Sequence, residues 1–205
     1  MPQLWVIAGP NGAGKSTLTQ QYFLGRVPLV NPDEIARTLD AVQPTRMRVQ
    51  AGRAALLQQE ALLAQDANFA METTLAGTRE LGFLRRAKTR GYKVSLIDLG
   101  VETPDIAVGR IRQRVAAGGH AVPLVDVDRR YARSLAPVPL VFTVVDRVVL
   151  CDNTGTRLRL IVSWEGGRLK SRSPRAPAWV HAALPPALQP RPAPRCGLGD
   201  GPHSA

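Results

Sequence analysis

The most constraining feature of this chain is a nine-residue run, GPNGAGKST at positions 9–17, that follows an apolar segment of strand length at 4–8. The run matches the pattern G-x-x-x-x-G-K-[ST] at every fixed position. Glycines let the backbone curl so that successive N–H groups point at phosphate oxygens, and the start of the following helix adds positive potential. We therefore predict a strand, a phosphate-binding loop and a helix. The predicted phosphate-binding residues are Gly9, Pro10, Asn11, Gly12, Ala13, Gly14, Lys15, Ser16 and Thr17.

Two side chains of this loop have specific expected tasks. Lys15 is placed to reach the β- and γ-phosphates of a nucleoside triphosphate, and the Ser16 hydroxyl to hold Mg²⁺. Lysine is scarce in the chain, yet one stands at the required position. We expect ATP and Mg²⁺ as cofactors.

The rest of the chain alternates apolar, strand-like runs with longer helical stretches, which is typical of a parallel sheet covered by helices. The predicted fold class is α/β, with three layers, a mainly parallel sheet and a helical lid. Predicted strands cover 27–31, 68–73, 92–101, 147–151 and 157–164. Predicted helices start at 32 and cover 46–64, 78–90, 103–117 and 125–134.

Composition divides the chain into a domain at 1–168 and a tail at 169–205. From position 170 onward the tail holds eight of the 17 prolines and no helical or strand period, so we expect most of it to be disordered. Five basic residues against one acid in this stretch supply +4 of the net charge of +11.

Charge and composition limit the partners. Residues 1–169 carry a net charge of +7, and much of this charge lies near the predicted phosphate site. Aromatic residues do not alternate with the basic ones, so we do not expect nucleic acid to be the main partner.

No apolar run approaches the ~20 residues that cross a bilayer. Two cysteines give no disulfide framework. We expect a cytoplasmic protein.

Carboxylates follow the predicted strands, where ligands of parallel sheets collect. Asp33 could accept the proton of an attacking hydroxyl, or it could be an ordinary first-turn helix acid. Glu72 ends an apolar strand, where a carboxylate needs a partner or a task, unless it is simply exposed. Asp98 and Glu102 are alternatives for a metal-linked acid, and neither is strongly supported.

Arginines cluster around a predicted helical hairpin. Arg110 and Arg114 are four residues apart and share one helix face, and the turn at 118–123 contains His120. Such guanidinium groups could close over the phosphates and stabilise the charge of a transferring phosphoryl group. The alternatives are a solvated basic face and, for His120, a turn residue without chemistry.

Five motifs in order resemble the zeta-toxin-like P-loop kinases, in their short stand-alone form, over about residues 3–165. The motifs are AGPNGAGKST at 8–17, VNPDEIA at 30–36, FAMETTL at 69–75, GGHAVP at 118–123 and DRVVLCDN at 146–153.

The resemblance implies a three-layer P-loop kinase fold for the domain at 1–168. It also implies that Asp33 is the catalytic base, that Glu72 helps to hold the substrate, and that Arg110, His120 or Arg114 surrounds the transferring phosphate. Asn153, in the last motif, is expected to bind the nucleotide. Zeta toxins phosphorylate a hydroxyl of UDP-N-acetylglucosamine and so poison cell-wall synthesis. The resemblance therefore also makes an antitoxin protein a candidate partner. The expected function is therefore ATP-dependent phosphorylation of a small hydroxyl-bearing molecule, with a nucleotide sugar as one candidate. The alternatives are a kinase or ATPase acting on nucleic acid, and a nucleotide-gated binding protein without transfer activity.

Overall fold

The computed structural model describes residues 1–116 and 131–189. Within these residues the strands form a single seven-stranded sheet in the order β2-β3-β1-β4-β5-β6-β7. The first five run parallel, and β6 and β7 are added antiparallel at one edge. The strands are β1 (Gln3–Ala8), β2 (Leu29–Val30), β3 (Phe69–Glu72), β4 (Lys93–Gly100), β5 (Arg147–Asp152), β6 (Arg159–Glu165) and β7 (Arg168–Arg172).

Helices connect the parallel strands and cover both faces of the sheet. Residues 131–135 are also helical, and short 3-10 helices occupy Pro44–Met47 and Pro186–Leu188. The α-helices are α1 (Lys15–Tyr22), α2 (Pro32–Leu39), α3 (Arg48–Ala64), α4 (Thr78–Thr89), α5 (Pro104–Ala116), α6 (Val138–Val141) and α7 (Ala178–Ala183). Not one helix in the described ranges has the length and apolarity to span a membrane.

The alternation of side chains along the central strands divides the core into two layers. Leu4 and Val6 of β1 point to the face covered by α3, α4 and α7, whereas Ile7 points to the face covered by α1. Both layers contain fully buried aliphatic residues. The three-layer α/β class with a mainly parallel sheet is thus confirmed.

The predicted elements agree with the structure in number and order over residues 1–116 and 147–165. The second strand is shorter than predicted, Leu29–Val30 instead of 27–31, because Pro28 contributes only its carbonyl, which accepts a bond from the Ala70 N–H at 2.9 Å. Most of the predicted helix at 125–134, and the turn of the predicted lid, lie outside the described residues.

The expectation of a disordered tail from residue 169 is wrong for residues 169–189. Arg168–Arg172 forms β7, and Ala178–Ala183 forms a helix in which Trp179 is only 4% exposed. The indole packs on Gly100, where a Cβ would lie within 2.6 Å of its ring atoms. Residues 169–189 are rich in proline and have no helical or strand periodicity in their sequence, but contacts with strands elsewhere in the chain order them. Residues 190–205 lie outside the described part.

Candidate active site

The carboxyl ends of the parallel strands bring the predicted functional segments to one edge of the sheet. The phosphate loop leaves β1, Asp33 follows β2, Glu72 ends β3, Asp98 lies near the end of β4 and Asn153 follows β5. Because β1 lies between β3 and β4, the loop is central among these groups.

The phosphate loop has the tight backbone that its glycines predict. Gly14 adopts a left-handed conformation, φ 98°, at the N-cap of α1, and a Cβ there would clash with the Asn153 side chain. The Lys15 ammonium donates to the carbonyl oxygens of Gly9 at 2.8 Å and Pro10 at 3.0 Å. Burial lowers the pKa of Lys15, opposed by the nearby Glu72, Asp33 and Asp98 carboxylates. The backbone of the phosphate loop thus surrounds the Lys15 ammonium group and binds it through carbonyl oxygens.

Glu72 is tied to the first turns of α1. Its Oε2 accepts from the Ser16 hydroxyl at 3.0 Å and its Oε1 from the Thr19 hydroxyl at 2.5 Å. Burial raises the pKa of Glu72, and the Thr19 bond, Lys15 and the Ser16 bond oppose this rise. The side chain is therefore not the exposed strand-end acid that the sequence left open. Among the described residues, no group of three or more His, Cys, Asp or Glu side chains could hold a metal ion by itself.

A cavity of about 400 Å³ lies beside the phosphate loop, and we call it the loop cavity. It contains most of the predicted nucleotide-binding residues. Gly9, Pro10 and Ala13 do not line it. The carbonyls of Gly9 and Pro10 accept from Lys15, and Ala13 is fully buried. The predicted residues that line it are Asn11, Gly12, Gly14, Lys15, Ser16, Thr17, Asp33, Glu72, Arg110, Arg114 and Asn153.

Asn153 and Arg110 join the loop, the turn after β5 and helix α5. Asn153 Nδ2 donates to the Ala13 carbonyl at 2.8 Å. Arg110 Nη2 donates to the carbonyls of Thr154 at 3.3 Å and Gly155 at 3.1 Å. Its Nη1 is buried and has no hydrogen-bond partner in the described structure, although the residue lines the loop cavity. An orphaned guanidinium N–H at this place is suited to an anionic ligand.

A second cavity, of about 600 Å³, lies between α2, α3 and α4, and we call it the helix cavity. It shares four lining residues with the loop cavity. These are Asn11, Lys15, Asp33 and Glu72. The two cavities therefore meet at the phosphate-loop lysine and the two carboxylates that the sequence singled out.

Asp33 owes its position to the start of α2. The Asn31 side chain caps this helix by accepting from the Asp33 N–H at 2.9 Å, and Pro32 occupies the first helical position. The backbone of Asp33 is thus fixed, while its side chain is exposed at the border of the two cavities.

The two alternative metal-linked acids lie elsewhere. Asp98 is fully buried and lines neither cavity. Burial raises its pKa to about 7, with Lys15 acting in the opposite direction. Glu102 is exposed, and its N–H donates to the Thr154 hydroxyl at 2.9 Å. Neither residue lines the loop cavity.

The sequence analysis did not identify a group of arginines that lines the helix cavity. One residue that it did predict for the site, His120, is not among the described residues. Four arginines on α3 and α4 line the helix cavity, and no local pattern distinguishes them from ordinary exposed arginines. They are Arg48, Arg53, Arg79 and Arg86. His120, predicted to surround the transferring phosphate, lies outside the described residues.

Comparison with known proteins agrees with this architecture. The chain is 32% identical over 136 residues to an uncharacterized protein of Haemophilus influenzae, covering 63% of this chain and 97% of that protein. Among solved structures, AvrRxo1-ORF1:ORF2 with ATP superimposes with a TM-score of 0.70 at 17% identity, covering 83% of this chain. The PezAT toxin–antitoxin system of Streptococcus pneumoniae gives 0.53 at 19% identity, covering 75% of this chain and 69% of that one. This chain spans 60% of the matched AvrRxo1 chain.

Fold and site together define a P-loop α/β domain, and the fold that it shares with the PezAT structure agrees with the resemblance to zeta-toxin-like kinases. The model of the AAA domain family matches residues 4–136, from the first strand into the segment after α5. The chain belongs to this family.

Proposed function

We propose that this protein transfers the γ-phosphate of ATP to a hydroxyl group of a small molecule. The observation that supports this most is the shared border of the two cavities. A donor in the loop cavity and an acceptor in the helix cavity would meet at Lys15, Asp33 and Glu72. Phosphoryl transfer depends on positioning and charge stabilisation at such a meeting point.

In this proposal the loop amides and Lys15 hold the phosphates, and the orphaned Nη1 of Arg110, together with Arg114, stabilises negative charge on the transferring group. Asn153, which lines the loop cavity, positions the loop through its bond to Ala13 and contacts the nucleotide. His120 remains a proposed member of the same group.

The proposed Mg²⁺ fits the oxygen atoms that the loop cavity offers. The Ser16 hydroxyl and the Glu72 carboxylate lie 3.0 Å apart, and oxygen donors of this kind suit Mg²⁺. When bound, the ion would neutralise charge on the phosphates. Glu72 would hold the ion with Ser16 and orient the acceptor from the same border.

Asp33 is the proposed general base. Its carboxylate would take the proton of the acceptor hydroxyl as that oxygen attacks the γ-phosphorus. UDP-N-acetylglucosamine is one candidate acceptor, from the resemblance to zeta toxins. An antitoxin-like partner is a further proposal, supported by the AvrRxo1-ORF1:ORF2 complex and by PezAT, a toxin–antitoxin system.

The test is transfer of labelled γ-phosphate into a bacterial metabolite extract by the full chain and by Asp33→Asn. We expect the substitution to lower transfer by about 10²- to 10⁴-fold, since it removes a general base, and to leave ATP binding nearly intact. Glu34→Gln, one residue along α2 and lining neither cavity, is the matched control and should retain transfer. Full activity of Asp33→Asn would contradict the assigned mechanism.

A further inference from the structure

The Glu72 carboxylate, which ends β3, accepts hydrogen bonds from two hydroxyl groups of helix α1. Its Oε2 accepts from Ser16 at 3.0 Å and its Oε1 from Thr19 at 2.5 Å. Because positions 16 and 19 are three apart on a helix, the two hydroxyls lie on the same face of α1. Each oxygen of the carboxylate is thus held by its own donor from one helix face.

The two hydroxyls differ in their access to ligands. Ser16 lines the loop cavity together with Glu72, whereas Thr19 is fully buried and lines neither the loop cavity nor the helix cavity. A ligand in the loop cavity can therefore contact the Ser16 oxygen but not the Thr19 oxygen. Thr19 can influence a bound ligand only through the carboxylate to which it donates.

The single proton of the Thr19 hydroxyl has two acceptors within reach. The Ser16 carbonyl lies at 3.1 Å and the Glu72 carboxylate at 2.5 Å. Inside an α-helix a carbonyl such as that of Ser16 also accepts the N–H four residues later, whereas a charged oxygen is the stronger acceptor. The proton therefore goes to Glu72, which is only 5% exposed and has little water to replace a lost donor.

The bond from Thr19 fixes the direction of the Glu72 side chain. With Oε1 held from inside the core, Oε2 stays beside Ser16 at the border of the two cavities. This bond uses no atom that a ligand contacts, so it persists when a ligand engages the Ser16 oxygen. Hydrogen bonds to the far side of a metal-binding group orient that group, and their loss costs about 10- to 100-fold in metal affinity or activity.

We infer that Thr19 is a positioning residue, whose hydroxyl holds Glu72 in the orientation that binds the metal ion of the nucleotide complex. This rests on the proposed function, in which Ser16 and Glu72 hold Mg²⁺ beside the triphosphate. The role requires the hydroxyl group of the side chain. Valine has nearly the shape of threonine but no proton to donate, whereas serine keeps the hydroxyl and lacks the methyl group. Substitutions at this buried position therefore separate hydrogen bonding from packing.

Metal-dependent binding can be measured without phosphoryl transfer. Calorimetry gives the affinity of the full chain for a non-hydrolysable ATP analogue, once with excess Mg²⁺ and once with EDTA. We expect Thr19→Val to lower the affinity measured with Mg²⁺ by about tenfold or more, since Glu72 loses its orientation. The affinity in EDTA should stay at the native value, because the loop amides and Lys15 are unchanged. Thr19→Ser should retain the native affinity under both conditions.

Thr89→Val on α4 is the matched control. The Thr89 hydroxyl donates to the Arg85 carbonyl at 3.1 Å and lies outside both cavities, so this variant loses a helix hydroxyl without affecting a carboxylate. It should bind the analogue like the native protein under both conditions, and thermal melts check that all variants fold. If Thr19 only filled space, Thr19→Ser would be the more impaired variant, because it leaves a gap of one methyl group in the core.

The outcomes separate this inference from the proposed function. Native affinity of Thr19→Val with Mg²⁺, an equal loss of affinity in Mg²⁺ and in EDTA, or failure of Thr19→Ser to retain binding would overturn the role of Thr19 and leave the transfer proposal intact. If Thr19→Val loses only the Mg²⁺-dependent affinity but the native protein phosphorylates no alcohol, the transfer proposal fails and the role of Thr19 stands.

Discussion

At the scale of single residues, Asp98 is the least satisfied group of the described structure. Both of its carboxylate oxygens are buried without a hydrogen-bond partner, and its register neighbour on β1 is Ala8, directly before the phosphate loop. A charged carboxylate in such a place is costly, so burial raises its pKa from 3.8 to about 7. The consequence is a dependence of stability on pH.

We expect the free energy of unfolding to fall as pH rises from about 4 to about 7, since the folded chain then holds a proton that the unfolded chain has released. The contribution of Asp98 is fully present below its unfolded pKa and lost as pH rises through its folded pKa. For a rise from 3.8 to about 7 it amounts to about 4 kcal/mol.

Asp98→Asn should remove this dependence. The difference in Tm between variant and native protein should move in favour of the variant between pH 5 and pH 8, measured by calorimetry at several pH values. Asp105→Asn, which removes an exposed carboxylate of α5, is the control for loss of one charge. A difference for Asp98→Asn that is the same at pH 5 and pH 8 would show that this carboxyl does not titrate in the range.

At the scale of elements, the C-terminal helix α7 depends on a glycine of a strand far away in the chain. The Trp179 indole occupies the space that a Cβ at Gly100 would need. Gly100 also accepts the Asn153 N–H at 2.8 Å, so the same residue contacts α7 and the turn that holds the phosphate loop. Trp179 therefore packs against the last residue of β4, close to the edge of the sheet at which the candidate active site lies.

Gly100→Ala should destabilise the protein by about 1–3 kcal/mol, because the methyl group forces the indole out of its place. The measurement is a denaturant titration followed by tryptophan fluorescence, in which we also expect a red shift of the native emission. Gly82→Ala on α4, where nothing lies within 4 Å of the added Cβ, is the control and should be neutral or stabilising. An unchanged midpoint for Gly100→Ala would mean that α7 accommodates the methyl group freely.

Elements with local signals were predictable, and those that depend on distant contacts were not. Pro32 after Asn31 marks the start of α2, and the glycine-rich loop marks the start of α1. The order of residues at 169–189 is due to pairing of β7 with β6 and to burial of Trp179 against β4, and no nearby residue indicates the second contact. Likewise, the bond between Ser16 and Glu72 joins positions 56 residues apart, although Ser16 was chosen from the phosphate-loop motif and Glu72 from its place at a strand end.

At the scale of the whole molecule, the segment after β7 packs into the hydrophobic core and is part of the folded domain. Trp179, Val180 and Leu184 are at most 4% exposed and belong to the same hydrophobic cluster as the central strands. Arg172 also donates to the Leu188 carbonyl at 3.0 Å. The folded unit therefore continues to residue 189, beyond the boundary that composition suggested.

Truncation should separate these two parts of the chain. A chain that ends at residue 173 should lose at least about 3 kcal/mol of unfolding free energy, since removing a single buried Trp side chain costs this much. A chain that ends at residue 189 should melt like the full protein, as the composition of 190–205 predicts. The comparison needs only thermal melts of the three chains, and equal melting of the 173-residue chain would contradict the role given to α7.

The common border of the loop and helix cavities has a kinetic and stereochemical consequence. Under the proposed function, nucleotide and alcohol occupy the protein together, so neither has to depart before the other enters. The phosphoryl group would then pass between them in one displacement without residing on a side chain. Product formation would require a ternary complex, and a chiral γ-thiophosphate would emerge with its configuration inverted.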